Sequence, residues 1–340
     1  MVPKNPDLQK EAISVKGKRL FGTVILLCVL LTASTAFAAP RVIKVGHSGN
    51  AQFPYQVYLE MWGKQIAEAT NNRYVLEVYH SDLYGKQNQL IEGCQLGTRD
   101  MVMATGSLLT SYSPKIGVLN LPFLFNDSEE AYEVLHGPIG EEFAESLAKR
   151  NLVVVGWFES GFRHLFPPRP VNHPDDLKGM KLRVVNSAEM IDTINAMGAS
   201  AVPMGFNDVY SAWQLGTIDG CEGTLTHMIT QKYYELTKTA ALVGYMYMPG
   251  VLIMSNKLWS SIPAEDKAIF IEEAKKVSRF SYDNQRSLDA EEMKQCEDQG
   301  VVFTRPDKEP FRQAVAPVYE KYRDKYGEML DKILTATGRK

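Results

Sequence analysis

The apolar positions of the chain switch repeatedly between strand-like runs and helical spacing. Arg41 to His47 reads as a strand; Tyr58, Met61, Trp62, Ile66 and Ala69 then recur at helical spacing, and Tyr74 to Tyr79 reads as a second strand. A helix through Leu90, Ile91 and Cys94 stops at Gly97, and Asp100 to Ala104 forms the next strand. Strands alternating with helices predict an α/β lobe around a largely parallel sheet. The plan has an echo: Q-L-G-T-R-D at 95–100 returns as Q-L-G-T-I-D at 214–219, each where a predicted helix ends and a strand begins. The expectation is two lobes on one plan with a ligand cleft between them.

Further along, Pro263 to about Glu297 predicts a long helix, with Ile269, Phe270, Ala274, Val277 and Phe280 as its apolar positions and Lys275, Lys276 and Arg279 on its polar face. Such a helix would brace both lobes. A final helix runs from about Pro310 to Leu334, and no low-complexity linker separates the lobes, so the crossings between them should be short hinges.

The N-terminus follows a different pattern. Lys16, Lys18 and Arg19 precede the apolar run Leu20–Leu31, and small residues follow, ending in Ala36-Phe37-Ala38. This is the layout of a secretory signal peptide, residues 1–38, cleaved near Ala38 to release a protein into the periplasm. The apolar run is shorter than the ~20 residues a membrane crossing needs. Leu27 stands where a lipobox before Cys28 wants a small residue, and the long polar stretch ahead of the run suggests a true start near Val15. Cleavage leaves Cys94, Cys221 and Cys296, an odd number, so at least one thiol is unpaired, and their spacing excludes C-x-x-C metal chemistry.

Composition narrows the function. The 340 residues are 45% apolar and 23% charged with a net charge of −3, which gives no footprint for nucleic acid and points to a small-molecule or protein partner. Gly46-His47-Ser48-Gly49 only approaches the nucleophile elbow, and no H-E-x-x-H, P-loop or G-x-G-x-x-G is present. A binding protein without cofactor or metal is expected rather than an enzyme; a secreted hydrolase is the remote alternative.

Binding chemistry concentrates between Gly161 and Gly223. Arg183 lies in the run Lys181-Leu182-Arg183-Val184-Val185, where a strand would point it away from Leu182 and Val184. Its planar guanidinium suits two carboxylate oxygens at once. The competing reading is an ion pair with an acidic neighbour such as Glu189. Arg163, in G-F-R-H, is the second candidate, with support of the hinge by backbone hydrogen bonds as its alternative.

Taken together, L-P-F-L-F at 121–125, H-P-D-D-L-K-G-M-K-L-R at 173–183, G-A-S-A-V-P-M at 198–204, D-V-Y-S-A-W at 208–213 and I-D-G-C-E at 218–222 make a specific set. In these blocks the chain resembles the periplasmic substrate-binding subunits of tripartite ATP-independent periplasmic (TRAP) transporters, of the DctP type, over nearly the whole mature chain. The resemblance implies a two-lobe periplasmic binding protein fold, type II-like, with mixed, mostly parallel sheets, a hinge and a long lobe-spanning helix. Lobe one would be 40–160 with 249–287, and lobe two 161–248 with 288–340. It also implies capture of a small organic carboxylate by lobe closure and delivery to membrane permease subunits driven by an ion gradient. A receptor feeding a sensor or chemoreceptor is the alternative.

By the same resemblance, Arg183 binds the ligand carboxylate, Arg163 assists it, and Phe206 packs on the ligand. His47, Ser48 and Thr105 are the ligand-facing candidates of lobe one, although a structural role is as good a reading for His47. Trp157 and Phe158 would line the pocket or fill the core, and Tyr245 and Tyr247 are weaker pocket candidates. Gly223 replaces an asparagine found in many relatives. With Trp157, Phe158, Phe162, Phe166 and Phe206 nearby in sequence, that loss leans the expected ligand toward an aromatic or apolar monocarboxylate and away from sugar acids.

Overall fold

The computed structural model describes residues 39–339; the signal peptide expected at 1–38 lies outside the described residues. Eleven strands among these residues form two sheets. In chain order they are β1 (Arg41–Gly46), β2 (Tyr74–Tyr79), β3 (Met101–Thr105), β4 (Leu152–Phe158), β5 (Phe162–Phe166), β6 (Lys181–Val184), β7 (Ser200–Pro203), β8 (Gly220–Gly223), β9 (Thr239–Tyr247), β10 (Gly250–Ser255) and β11 (Val302–Thr304). The first sheet has the order β2-β1-β3-β10-β4 and the second β11-β9-β5-β8-β6-β7.

Each sheet keeps a parallel nucleus, β1 with β3 in the first and β7, β6 and β8 in the second. The antiparallel pairings fall on the strands that carry the chain from one sheet to the other. β10 runs antiparallel to β3 and β4, and β5 runs antiparallel to β8 and β9. A chain that leaves one sheet and enters the other through a few residues needs no helical crossover, so these strands need not join in the parallel sense. The sheets are therefore more mixed than a repeated βα plan predicts.

Two short crossings join the sheets: 159–161 between β4 and β5, and 248–249 between β9 and β10. The helix Ala264–Asp298 runs past both. At its start Phe270 packs edge-to-face on Trp62, whose indole N–H bonds the Phe270 carbonyl at 3.1 Å. Burial of a ring of this kind contributes roughly 2–3 kcal/mol. Ala274, Val277, Ser278 and Ser281 continue the buried stripe, small enough to let β4 and the first crossing approach. The Ser278 hydroxyl bonds the Trp157 carbonyl, and the Ser281 hydroxyl accepts the Glu159 N–H at 3.0 Å. Near the other end Glu292 accepts from the Thr226 hydroxyl at 2.9 Å, which ties the helix to the second sheet's side. The predicted apolar positions hold at Phe270, Ala274 and Val277, whereas Phe280 is exposed. The C-terminal helix Glu309–Ala336 packs on both the segment Pro114–Asn120 and the helix Ala188–Ala196, so it too reaches elements of both halves. Among the described residues the three cysteines, Cys94, Cys221 and Cys296, are buried and unpaired.

The first crossing has an unusual centre. Glu159 is almost fully buried; one carboxylate oxygen accepts the N–H groups of Ser160 and Gly161, at 2.9 and 2.5 Å, and Gly161 adopts φ +84°, a conformation that favours glycine. Burial pushes the Glu159 carboxyl up to about 7, against the pull of those hydrogen bonds, and burial pushes Glu292 up to about 8. Both acids hold their protons more tightly folded than unfolded. Their contribution to stability is complete below about pH 4.5 and is lost as pH rises through about 7 to 8. Glu159→Gln and Glu292→Gln should each flatten the decline in stability between pH 5 and 8, gaining on the order of 1–3 kcal/mol over the wild type at pH 8. Denaturant unfolding at both pH values measures this, and equal slopes for variant and wild type would contradict it.

Candidate functional site

A cavity of about 340 Å³ opens between the two sheets, at the ends of β1, β3, β6 and β7. Its charged floor is built on three adjacent strands of the second sheet. β8, carrying Glu222, lies between β5, carrying Arg163, and β6, carrying Arg183. The pairing of β5 with β9 slips between Arg163 and Leu165, the kind of irregularity that re-aims a side chain.

All three side chains are buried. Arg163 donates through Nε to Glu222 Oε2, and Arg183 Nη1 lies 3.5 Å from Glu222 Oε1. Arg183 also donates from Nε and Nη2 to the Met204 carbonyl, at 3.2 and 2.9 Å, which fixes the plane of its guanidinium. The Tyr245 hydroxyl donates to Glu222 Oε2 at 3.3 Å. Burial works against the charge of Arg163, but Glu222 outweighs it and the net shift is upward. Two guanidinium groups and one carboxylate leave a single positive charge in excess, facing a cavity. The acidic partner of Arg183 is thus Glu222 and not Glu189, which is held instead by Ser187, Lys325 and Tyr326.

His227 stands over the pair. Its Nδ1 accepts the Thr224 N–H at 2.9 Å, which puts the proton of the neutral ring on Nε2. Burial, then the two arginines, hold its pKa well below the usual value, so it brings a hydrogen-bond donor without a second charge. Phe53, from the first sheet's side, meets Phe206 and His227 with ring centroids 6.4 and 5.4 Å apart, forming an aromatic wall that spans the cleft.

Five of the eight sequence candidates line this cavity: Arg183, Arg163, Phe206, Ser48 and Thr105. Three do not. His47 is fully buried, with Nε2 2.9 Å from Gln56 Oε1; the next residue along the chain, Ser48, is the one that reaches the cavity. Trp157 lies in the core against Phe143, with ring centroids 6.2 Å apart. Gly223 is buried, and a Cβ there would come 3.0 Å from the Phe166 ring and 3.3 Å from His227, so the position is given to packing. Phe158 stacks on Tyr58, Phe162 contacts Tyr247 and Phe166 is in the core, so of the five aromatic residues first considered only Phe206 faces the cavity. Tyr245 acts beneath the floor through Glu222, and Tyr247 bonds Tyr282 at 2.6 Å.

Sequence reasoning missed much of the polar wall. Tyr55, Asp82, Gln87, Asn186, Asn207 and His227 all line the cavity. Each sits in a loop or the first turns of a helix beside a strand end, so no periodicity marks it. Only His227 had a local signal, as the reciprocal partner of Thr224 at a helix start.

Comparison with known proteins agrees with this architecture. A family profile described as "Bacterial extracellular solute-binding protein, family 7" (DctP) matches residues 45–325. A solute-binding protein of Verminephrobacter eiseniae is 30% identical over 88% of this chain and 90% of its own length. The crystal structure of a TRAP periplasmic solute binding protein from Polaromonas sp. JS666, bound to D-erythronate, superposes with a TM-score of 0.83 at 29% identity, covering 88% of this chain and 99% of that one. A TRAP periplasmic solute binding protein from Citrobacter koseri with bound D-glucuronate gives a TM-score of 0.82 at 29% identity, over 86% and 98%. The chain belongs to the DctP family of bacterial extracellular solute-binding proteins, the periplasmic solute-binding proteins of TRAP transporters.

Proposed function

We propose that the protein captures a hydroxylated monocarboxylate of the sugar-acid class in the periplasm and hands it to a TRAP membrane permease without changing it chemically. The observation that carries this reading is the single excess positive charge of Arg163, Arg183 and Glu222 at the wall of the cavity between the two sheets. A buried cationic floor of this kind is suited to one carboxylate. Above it, Ser48, Thr105 and Asn186 line the cavity with hydroxyl and amide groups, which suit a ligand with several hydroxyl groups better than an aromatic or apolar one. The relatives crystallised with D-erythronate and D-glucuronate bind acids of this class.

The ligand carboxylate docks first on Arg183 and Arg163, on the half of the molecule formed by residues 161–248 and 288–340. Groups on the other half, 40–160 and 249–287, then close over it: Ser48, Thr105 and the Tyr55 hydroxyl, which burial keeps protonated with its pKa pushed up to about 12. Closure around a bound ligand stabilises whichever state makes the extra contacts, so affinity depends on both halves.

A thermal-melt panel containing D-erythronate, D-glucuronate and an aromatic acid such as phenylacetate tests the class. Stabilisation by sugar acids alone is expected, and stabilisation by the aromatic acid alone would overturn the reading. With the best sugar acid, Arg183→Ala should lose about 2–5 kcal/mol of affinity by calorimetry, because a desolvated carboxylate is left unpaired. Arg183→Lys should recover little of it, since an ammonium cannot reproduce the fork that holds both Met204 and the ligand. Unchanged affinity in Arg183→Ala would remove this residue from the site. Glu222→Ala should destabilise the fold itself by about 3–5 kcal/mol, measured by denaturant midpoint, because it leaves two buried guanidinium groups without their shared anion.

A further inference from the structure

Three polar contacts that do not belong to the arginine floor join the two halves, and two of them are made by residues at the rim of the cavity. The loop after β2 places Ser81 and Asp82 in succession at φ +51° and +59°, a left-handed conformation that non-glycine residues seldom adopt. Strain of this kind persists only where surrounding contacts hold it. Here the loop is tied to the end of β1, with the Ser81 N–H on the Gly49 carbonyl at 2.7 Å and the Ser48 hydroxyl on Asp82 Oδ1. The strained turn aims the second carboxylate oxygen, Asp82 Oδ2, across the cleft, where it accepts from Asn207 Nδ2 at 2.6 Å. Asn207 lies in the turn after β7, in the opposite half. Beside it, Lys86 Nζ lies 3.7 Å from Asp208 Oδ2. Outside the residues that line the cavity, Asn50 Nδ2 donates to the Thr230 carbonyl at 2.6 Å.

We propose that Asp82 and Asn207, with Lys86 and Asp208 beside them, form a rim latch that holds the two halves closed, acting as positioning residues for capture rather than as the groups that recognise the carboxylate. The proposal rests on the capture-by-closure reading above. The Asp82–Asn207 bond has a half-buried carboxylate as its acceptor, which makes it the stronger member. Lys86 and Asp208 are exposed, so their attraction is weak and screened by salt. A latch of this strength holds the closed form without locking it, which a protein that must also release its ligand requires.

Spin labels on cysteines introduced at Val57 and Leu215, exposed positions on opposite halves, report the separation across the cleft. The native thiols are buried, and so should escape labelling. Distance distributions are measured with no ligand and with saturating D-glucuronate, for the otherwise unaltered protein, Asn207→Ala, Lys86→Asp, Asp208→Lys and the double reversal Lys86→Asp/Asp208→Lys. Asn207→Ala should lower the ratio of short to long distances about five-fold, the worth of one hydrogen bond. Each single charge reversal should also lower it, and the double reversal should restore it, a recovery that general destabilisation would not produce. Distributions that stay the same in Asn207→Ala and in both single reversals, under both conditions, would overturn the latch. If D-glucuronate and the other sugar acids leave the wild type unstabilised, the ligand class is wrong, and the ligand-free distances still decide the latch.

Discussion

Everything at the site depends on one carboxylate placed between two guanidinium groups. Arg163 and Arg183 are both buried, on strands that flank the strand of Glu222. Two like charges removed from water at such close quarters would repel each other and lose their hydration. Glu222 is what offsets their repulsion: it pairs with each, and Tyr245 braces it from beneath the floor. The arrangement leaves one excess charge, set by the arithmetic of the triad rather than by the ligand. One Glu222 oxygen, Oε1, has no hydrogen bond among the described residues, so the triad is held chiefly through its other oxygen and the Met204 carbonyl.

That constraint shapes the residues around it. His227 could have added a further charge beside the arginines, but burial and the arginines themselves keep it neutral. Cys221, next to Glu222 in the chain, has its thiol pushed upward by burial, so the strand that carries the acid carries no second anion. Gly223 completes the strand: its missing side chain is the space in which Phe166 and His227 pack. What looked from the chain like a polar group withdrawn from the ligand is instead the packing that positions His227 over the floor.

The elements that could be read from sequence are those where periodicity and end signals agree. The strand at 74–79, the helix ended by left-handed Gly97, the long helix after Pro263 and the C-terminal helix all appear close to their expected bounds. Arg183 was legible because a charged residue inside an apolar strand is conspicuous. Its partner was not, because Glu189 is near in sequence whereas Glu222 is near only through the register of β8 beside β6. The same limit hid Asp82, Asn186 and Asn207. They sit in turns where polar residues are ordinary, and only the folding of two sheets toward each other gives them a common cavity. For Trp157, expected either to line the pocket or to fill the core, the structure selects the core. β4 is covered by the long helix on one side and by core on the other, so an aromatic near its end is buried rather than presented.

The division of labour between the two halves follows from where rigidity is available. The charged floor rests on adjacent strands, with each guanidinium fixed by more than one contact from the protein itself. Preorganised charge keeps its attraction from being spent on ordering side chains. The groups contributed by the first half stand on loops after β1 and β2 and at the end of β3, and they line the same cavity as the floor. Under the proposed capture reading, charge recognition is built into one half, and contacts from the other complete the enclosure. A ligand carrying only a carboxylate could satisfy the floor but would do little to favour closure. One carrying hydroxyl groups at the right reach would engage both halves, and the free energy of those later contacts is what shifts the population to the closed form.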